Sequence, residues 1–195
     1  LHDRLVNVLS ASSEIQYALD EEDTEEIKAI AQELSHPEII AERVESLKKA
    51  LPEKPLENAE NMLLYLERLD FIGDILPQQI KDASRFVKKL SAPLKAQTSG
   101  EYEKLAVYFV YRYFLKAVRD FDLLSKIKAM IVFVFAAEVI NLSREQDAPA
   151  RFETVKELCK EIEYSGDNMD RIYDDSYLSD IFSDISMLAL LEWTL

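Results

Sequence analysis

Apolar positions recur at helical spacing along nearly the whole chain. Leu5, Val8, Leu9, Ile15 and Leu19 give residues 1–19 a single apolar face. The acidic run DEEDTEE at 20–26 interrupts it. Asp23 or Thr24 then caps a second helix carrying Ile27, Ile30, Ala31 and Leu34, with Glu25 and Glu26 in the first turn, where the helix dipole favours acids. Ser35 as cap and Pro37 near the first helical position open a third helix to about Leu51. The two prolines of PEKP (52–55) end it and force an extended connection. Met62, Leu63, Tyr65, Leu66 and Leu69 predict a fourth helix closed by Gly73 and Pro77. Residues 78–97 predict a fifth, kinked or divided at Pro93.

The aromatic run YFVYRYF (108–114) has strand propensity in isolation. Its surroundings decide otherwise. From Tyr102 to Val118 no turn residue intervenes, and two adjacent apolar stripes run at steps of three or four, so the pattern is helical. After a tight DFD turn, residues 122–142 are apolar on nearly every side. The expectation is therefore an antiparallel hairpin of two almost wholly hydrophobic helices, about 101–119 and 122–142, wrapped by one-sided helices. A helix at 151–164, a break at SGDN (165–168), a short helix at 169–173 and an apolar one at 177–193 complete the prediction. The fold class is an all-α multi-helix bundle around that hairpin. It forms one domain over 1–195, with sub-lobes 1–51 and 56–195 permitted by the PEKP break.

Composition narrows the chemistry. Only Gly73, Gly100 and Gly166 are glycine, which argues against turn-rich β folds and phosphate-cradling loops. A net charge of −14, with bases interleaved among acids, opposes nucleic-acid binding. Cys159 is the one cysteine and sits at an apolar helical position, as a core thiol would. The longest apolar run, 129–137, is too short to span a bilayer, and LHDRLV lacks a signal-peptide pattern. A cytoplasmic protein is expected.

Few residues offer chemistry. Arg112 and Glu138 are charges on the two most hydrophobic helices. They predict a polar pocket in which Arg112 binds a ligand carboxylate and Glu138 orients it, an internal ion pair across the hairpin, or side chains snorkelling to the rim. Tyr102, Tyr108, Tyr111 and Tyr113 fit a helical core with hydroxyls bonded at its edge better than base stacking. Glu33 and His36 match one E-x-x-H element of a carboxylate-bridged metal bundle, but such a site needs two elements and two further glutamates, the chain has only two histidines and Pro37 follows at once, so no metal site is expected.

Three stretches together resemble the C-terminal half of the flagellin lysine-N-methylase family. They are residues 1–34, the helix pair YEKLAVYFVYRYFLKAV (102–118) and SKIKAMIVFVFAAEVI (125–140), and LCKEIEYSGDNMDRIYD (158–174). In the last, Glu163, Ser165, Asn168 and Met169 match the family pattern, whereas Tyr164 stands where a histidine is expected. The resemblance implies methyl transfer from S-adenosylmethionine to flagellin lysines. It places an iron–sulfur cluster and the chemistry in a Cys-rich N-terminal region of a longer parent. This chain would then be a helical C-terminal domain, inactive alone, recognising flagellin or its own N-terminal region. Arg112, Glu138, Glu163, Ser165 and Asn168 are its candidate binding residues. Arg112→Ala is expected to destabilise the fold and Asn168→Ala to leave it nearly intact. The alternative is a non-catalytic helical ligand-binding or protein-interaction domain.

Overall fold

The computed structural model describes residues 2–33, 36–49, 55–94, 99–144 and 147–193, and among these there is no strand. The chain is an all-α multi-helix bundle. Its helices are α1 (His2–Asp20), α2 (Thr24–Glu33), α3 (Pro37–Lys49), α4 (Pro55–Leu66), α5 (Ile75–Val87), α6 (Ser99–Tyr113), α7 (Ala117–Asp120), α8 (Leu124–Arg144), α9 (Ala148–Leu158), α10 (Gly166–Leu178) and α11 (Asp184–Leu191). The Ser35 cap, the Leu51 helix end, residues 52–54 of PEKP and the end of the fifth segment at Gln97 lie outside the described residues.

α8 is the axis of the fold. Every side chain from Leu124 to Asn141 is buried, and α1, α5, α6, α9, α10 and α11 pack around it. A helix buried on all sides must neutralise its own polar groups. Lys126 Nζ reaches the Asp122 carbonyl at 2.5 Å and the Asp120 carboxylate at 2.9 Å. Lys128 Nζ donates to the Ser176 carbonyl at 3.1 Å and faces Asp184 at 3.6 Å. Asn141 Nδ2 donates to the Tyr102 hydroxyl at 3.1 Å, which ties the end of α8 to the start of α6 and makes the pair antiparallel.

The reversal between the two arms is built from side chains. Phe121 takes a left-handed backbone (φ 55°), uncommon for an aromatic residue. Asp122 accepts from the Ser125 amide, as a cap should. Gln16 of α1 closes the corner, with Nε2 donating to the Phe121 carbonyl at 2.8 Å and Oε1 accepting from the Leu123 amide at 2.9 Å.

YFVYRYF is helical, as its surroundings predict, but the two arms are not alike. α6 buries Tyr102, Leu105, Ala106, Phe109 and Tyr113 against α8, with the Phe109 and Phe133 ring centroids 4.7 Å apart. Its other face is wet: Val107 is 46%, Tyr111 79% and Leu115 75% exposed. The arm is also broken, passing through a 3-10 turn at Phe114–Lys116 before α7. Only α8 is hydrophobic all round in its surroundings as well as in its sequence.

Several boundaries move for identifiable reasons. α5 begins at Ile75, ahead of Pro77, because a proline in the first turn forgoes an N–H that has no helical partner anyway. α9 begins at Ala148 because Asp147 accepts from the Ala150 amide. SGDN does break the chain, but Ser165 is itself the cap of α10, accepting from the Asn168 amide at 3.3 Å, and that helix runs to Leu178. The segment predicted as one helix at 177–193 is a 3-10 turn (Asp180–Phe182) followed by α11.

Candidate functional site

The site grows from the end of α9. There the helix widens into a π-turn, Cys159–Glu163, closed by the Tyr164 amide on the Cys159 carbonyl at 2.9 Å. Such turns insert a residue and re-aim side chains. This one carries two buried carboxylates that serve different neighbours, Glu161 and Glu163.

Glu161 and Asn168 clamp the loop between α4 and α5. Glu161 Oε2 accepts from the amides of Ile72 (2.8 Å) and Gly73 (3.2 Å). A Cβ at Gly73 would stand 3.0 Å from Glu161 Oε1, so any larger residue there would make that carboxylate shift. Lys160 Nζ lies 3.0 Å from the same carboxylate. That contact first, and the Ile72 amide next, hold Glu161 below the usual carboxylate range. Asn168 Oδ1 accepts from the Asp70 amide at 3.0 Å, and Nδ2 donates to the carbonyls of Asp70 (2.7 Å) and Glu161 (3.0 Å).

Glu163 turns towards α6. Its Oε1 accepts from the hydroxyls of Tyr108 at 2.6 Å and Tyr113 at 2.7 Å, and Arg112 Nε stands 2.8 Å away. Three aromatic rings surround the Arg112 guanidinium, those of Tyr108, Tyr113 and Tyr164 at 5.9, 5.6 and 5.5 Å. The other oxygen, Oε2, is buried and accepts no hydrogen bond among the described residues. Burial first, then the bond to Glu163, pushes both tyrosines well above the ordinary phenol range. The Tyr113 hydroxyl in turn raises Arg112, which stays cationic. The Cys159 thiol lies within the same field and is pushed up to about 12, by burial and then by the Glu163 carboxylate.

Beside this cluster a groove of about 560 Å³ opens between α6 and α9. Buried Tyr102, Leu105 and Asn141 line its inner part, while exposed Phe152 and Tyr164 stand among its outer lining. Tyr108, Cys159 and Tyr164 belong both to the groove wall and to the surroundings of Glu163. A mainly apolar trough of this size, whose lining also carries Glu101, Lys104, Arg151 and Lys156, matches the dimensions of a ligand site.

The five residues singled out from sequence therefore part company. Arg112 and Glu163 meet. Glu138 does not join them: it is buried on α8, near enough to Tyr102 to raise that hydroxyl, though burial raises it more. The ion pair expected between Arg112 and Glu138 is replaced by Arg112–Glu163. The antiparallel register explains why. Tyr102 is level with Asn141, so at 1.5 Å per residue Arg112 lies about 10 Å further along the pair than Glu138. Ser165 is a helix cap, and Asn168 is a fully bonded clamp whose loss would strand the Asp70 amide. The structure thus reverses the expectation that Asn168→Ala is harmless. Tyr108 and Tyr113 were legible only as core aromatics and Tyr164 only as a departure from the family pattern, and nothing in the local pattern of 159–164 foretold the π-turn.

Compared with models of known protein families, with characterised proteins and with solved structures, the chain matches none.

Proposed function

We propose that this chain is the substrate-recognition part of a protein-lysine N-methylase acting on flagellin, inactive alone, and that the α6–α9 groove receives a lysine side chain. The observation that carries the reading is a buried carboxylate with one unbonded oxygen, ringed by tyrosines, beside an apolar groove. Lysine is an apolar stem ending in a cation, and this pairing of surfaces suits both ends. The resemblance in sequence supports the same reading, since Glu163 of its motif stands at the site, while Ser165 caps the helix that follows and Asn168 clamps the neighbouring loop. Recognition on this reading is electrostatic: Glu163, which a lysine would share with Arg112, supplies the negative charge, Tyr108 and Tyr113 fix its orientation, and the groove excludes water from the stem.

S-adenosylmethionine and an iron–sulfur cluster belong, on this reading, to the parent's Cys-rich region. The residues present do not fit a cluster, which is held by several thiolates, because Cys159 is the chain's one cysteine. No step of the transfer is assigned to this chain. Among the described residues no helix is long and apolar enough to cross a membrane, and a cytoplasmic location is part of the proposal.

The test is transfer of labelled methyl from S-adenosylmethionine to flagellin, by the fragment and by a cluster-loaded parent, with flagellin binding to the fragment measured in parallel. The parent should transfer label, and the fragment should bind flagellin without transferring. Glu163→Gln should weaken that binding at least tenfold. Activity in the fragment, or an inactive cluster-loaded parent, would overturn the proposal. A fragment that binds small amphipathic molecules in the groove but not flagellin would favour a free-standing ligand-binding domain, for which the groove's volume is the supporting observation.

A further inference from the structure

The outer face of α6 carries an inference independent of the groove. Residues 104–119 hold Lys104, Arg112, Lys116 and Arg119 and no acid, in a chain whose net charge is −14. The bases are thus not interleaved with acids everywhere; residues 83–100 are a second such stretch, but it carries no comparable row of exposed apolar side chains among the described residues. The structure puts all four at least partly in solvent. Among them stand the exposed side chains of Val107, Val110, Tyr111 and Leu115. Core packing explains none of these apolar groups, because α6 meets α8 through Tyr102, Leu105, Phe109 and Tyr113 on its opposite side. An apolar strip flanked by one sign of charge is the surface an amphipathic helix of the other sign recognises.

We propose that this face is a docking surface for an amphipathic helix bearing acidic residues beside its apolar stripe. Charge complementarity selects that occupant. The acid excess on the rest of the molecule repels any extended anionic surface, whereas a single helix touches only this face. The face runs along α6 from Lys104 to Tyr113, about 14 Å, and continues over the 3-10 turn with Leu115 and Lys116 to Arg119 of α7.

The test titrates fluorescein-labelled synthetic helices, eighteen residues long, with leucine on one face and glutamate elsewhere, onto the intact chain. A lysine-for-glutamate counterpart and anionic phosphatidylglycerol vesicles run alongside. The glutamate helix should bind saturably, and binding should weaken at least tenfold between 50 and 500 mM salt. Lys116→Glu with Arg119→Glu, and separately Tyr111→Ser with Leu115→Ser, should each weaken it at least tenfold, with unchanged circular dichroism. The lysine helix should not bind. Failure of the glutamate helix to bind, or equal binding by the charge-reversed variant, would overturn the proposal. Preference for the vesicles would overturn it in favour of a membrane surface. A dimer in sedimentation that Leu115→Ser dissolves would overturn it in favour of a second copy. Phe152→Ser, at the outer lining of the α6–α9 groove, should leave glutamate-helix binding unchanged, so this result and that of the lysine groove fail or succeed separately.

Discussion

α6 and α8 look alike as sequence and differ as structure. Both are long and apolar with few charges. α8 is surrounded, and its buried cations are each tied to a carbonyl and a carboxylate. α6 spends one face on α8 and leaves Tyr111 and Leu115 in water, with Arg112 reaching across to Glu163. Hydrophobicity beyond what the core uses is a clue to function, because surface position alone would favour polar residues there. The fold rests on α8. The candidate chemistry rests on α6 and on the π-turn that faces it.

The largest effect should come from the axis. Phe135 is fully buried and meets Trp193 edge-on, with ring centroids 6.3 Å apart. Phe135→Ala should cost about 3–5 kcal/mol in urea unfolding. Tyr111→Ala on α6 should stay within about 0.5 kcal/mol, as exposed positions do. Comparable losses at the two positions would erase the distinction between the arms.

Next comes the clamp. Asn168→Ala removes three bonds made by a buried side chain, among them that of the Asp70 amide, which should cost on the order of 1–3 kcal/mol. Asn168→Asp should also destabilise, since a carboxylate cannot donate to the two carbonyls. A neutral Asn168→Ala would mean the 70–74 loop holds itself.

Acid should weaken the same region. Glu161 has its pKa depressed by folding, so its stabilisation is present above the unfolded value of 4.5 and is lost as pH falls through the folded one. Thermal midpoints should therefore fall below about pH 4.5, and Glu161→Gln should flatten that slope while lowering stability at pH 7. The smallest effect is kinetic. With the thiol at about 12, roughly one Cys159 in ten thousand is ionised at pH 8. Iodoacetamide should label native protein far more slowly than urea-unfolded protein.

Sequence pattern reached the all-α class, the antiparallel α6–α8 pair, the reversal at Asp120–Asp122 and the cap at Asp23. Those features follow from local periodicity and capping chemistry. It overstated α6 because periodicity reports apolar residues, not whether a neighbour covers them. It joined Arg112 to Glu138 because both lie on the hairpin, when the true partner comes from a turn some fifty residues further along the chain. The π-turn escaped notice because its single extra residue shifts the phase of a helix without changing its composition. Of the candidate site, Glu163 and Arg112 were legible; their meeting, and the tyrosines that orient them, needed tertiary contacts.

Native-state hydrogen exchange tests the unequal arms most directly. Amides of α8 from Ile131 to Val139 should exchange only through global unfolding, at the free energy that urea denaturation gives. Amides of α6 from Val107 to Arg112, and those of the 3-10 turn and α7 behind it, should exchange at least tenfold faster through partial opening. Equal protection of the two helices would contradict the account and make them equivalent halves of one core.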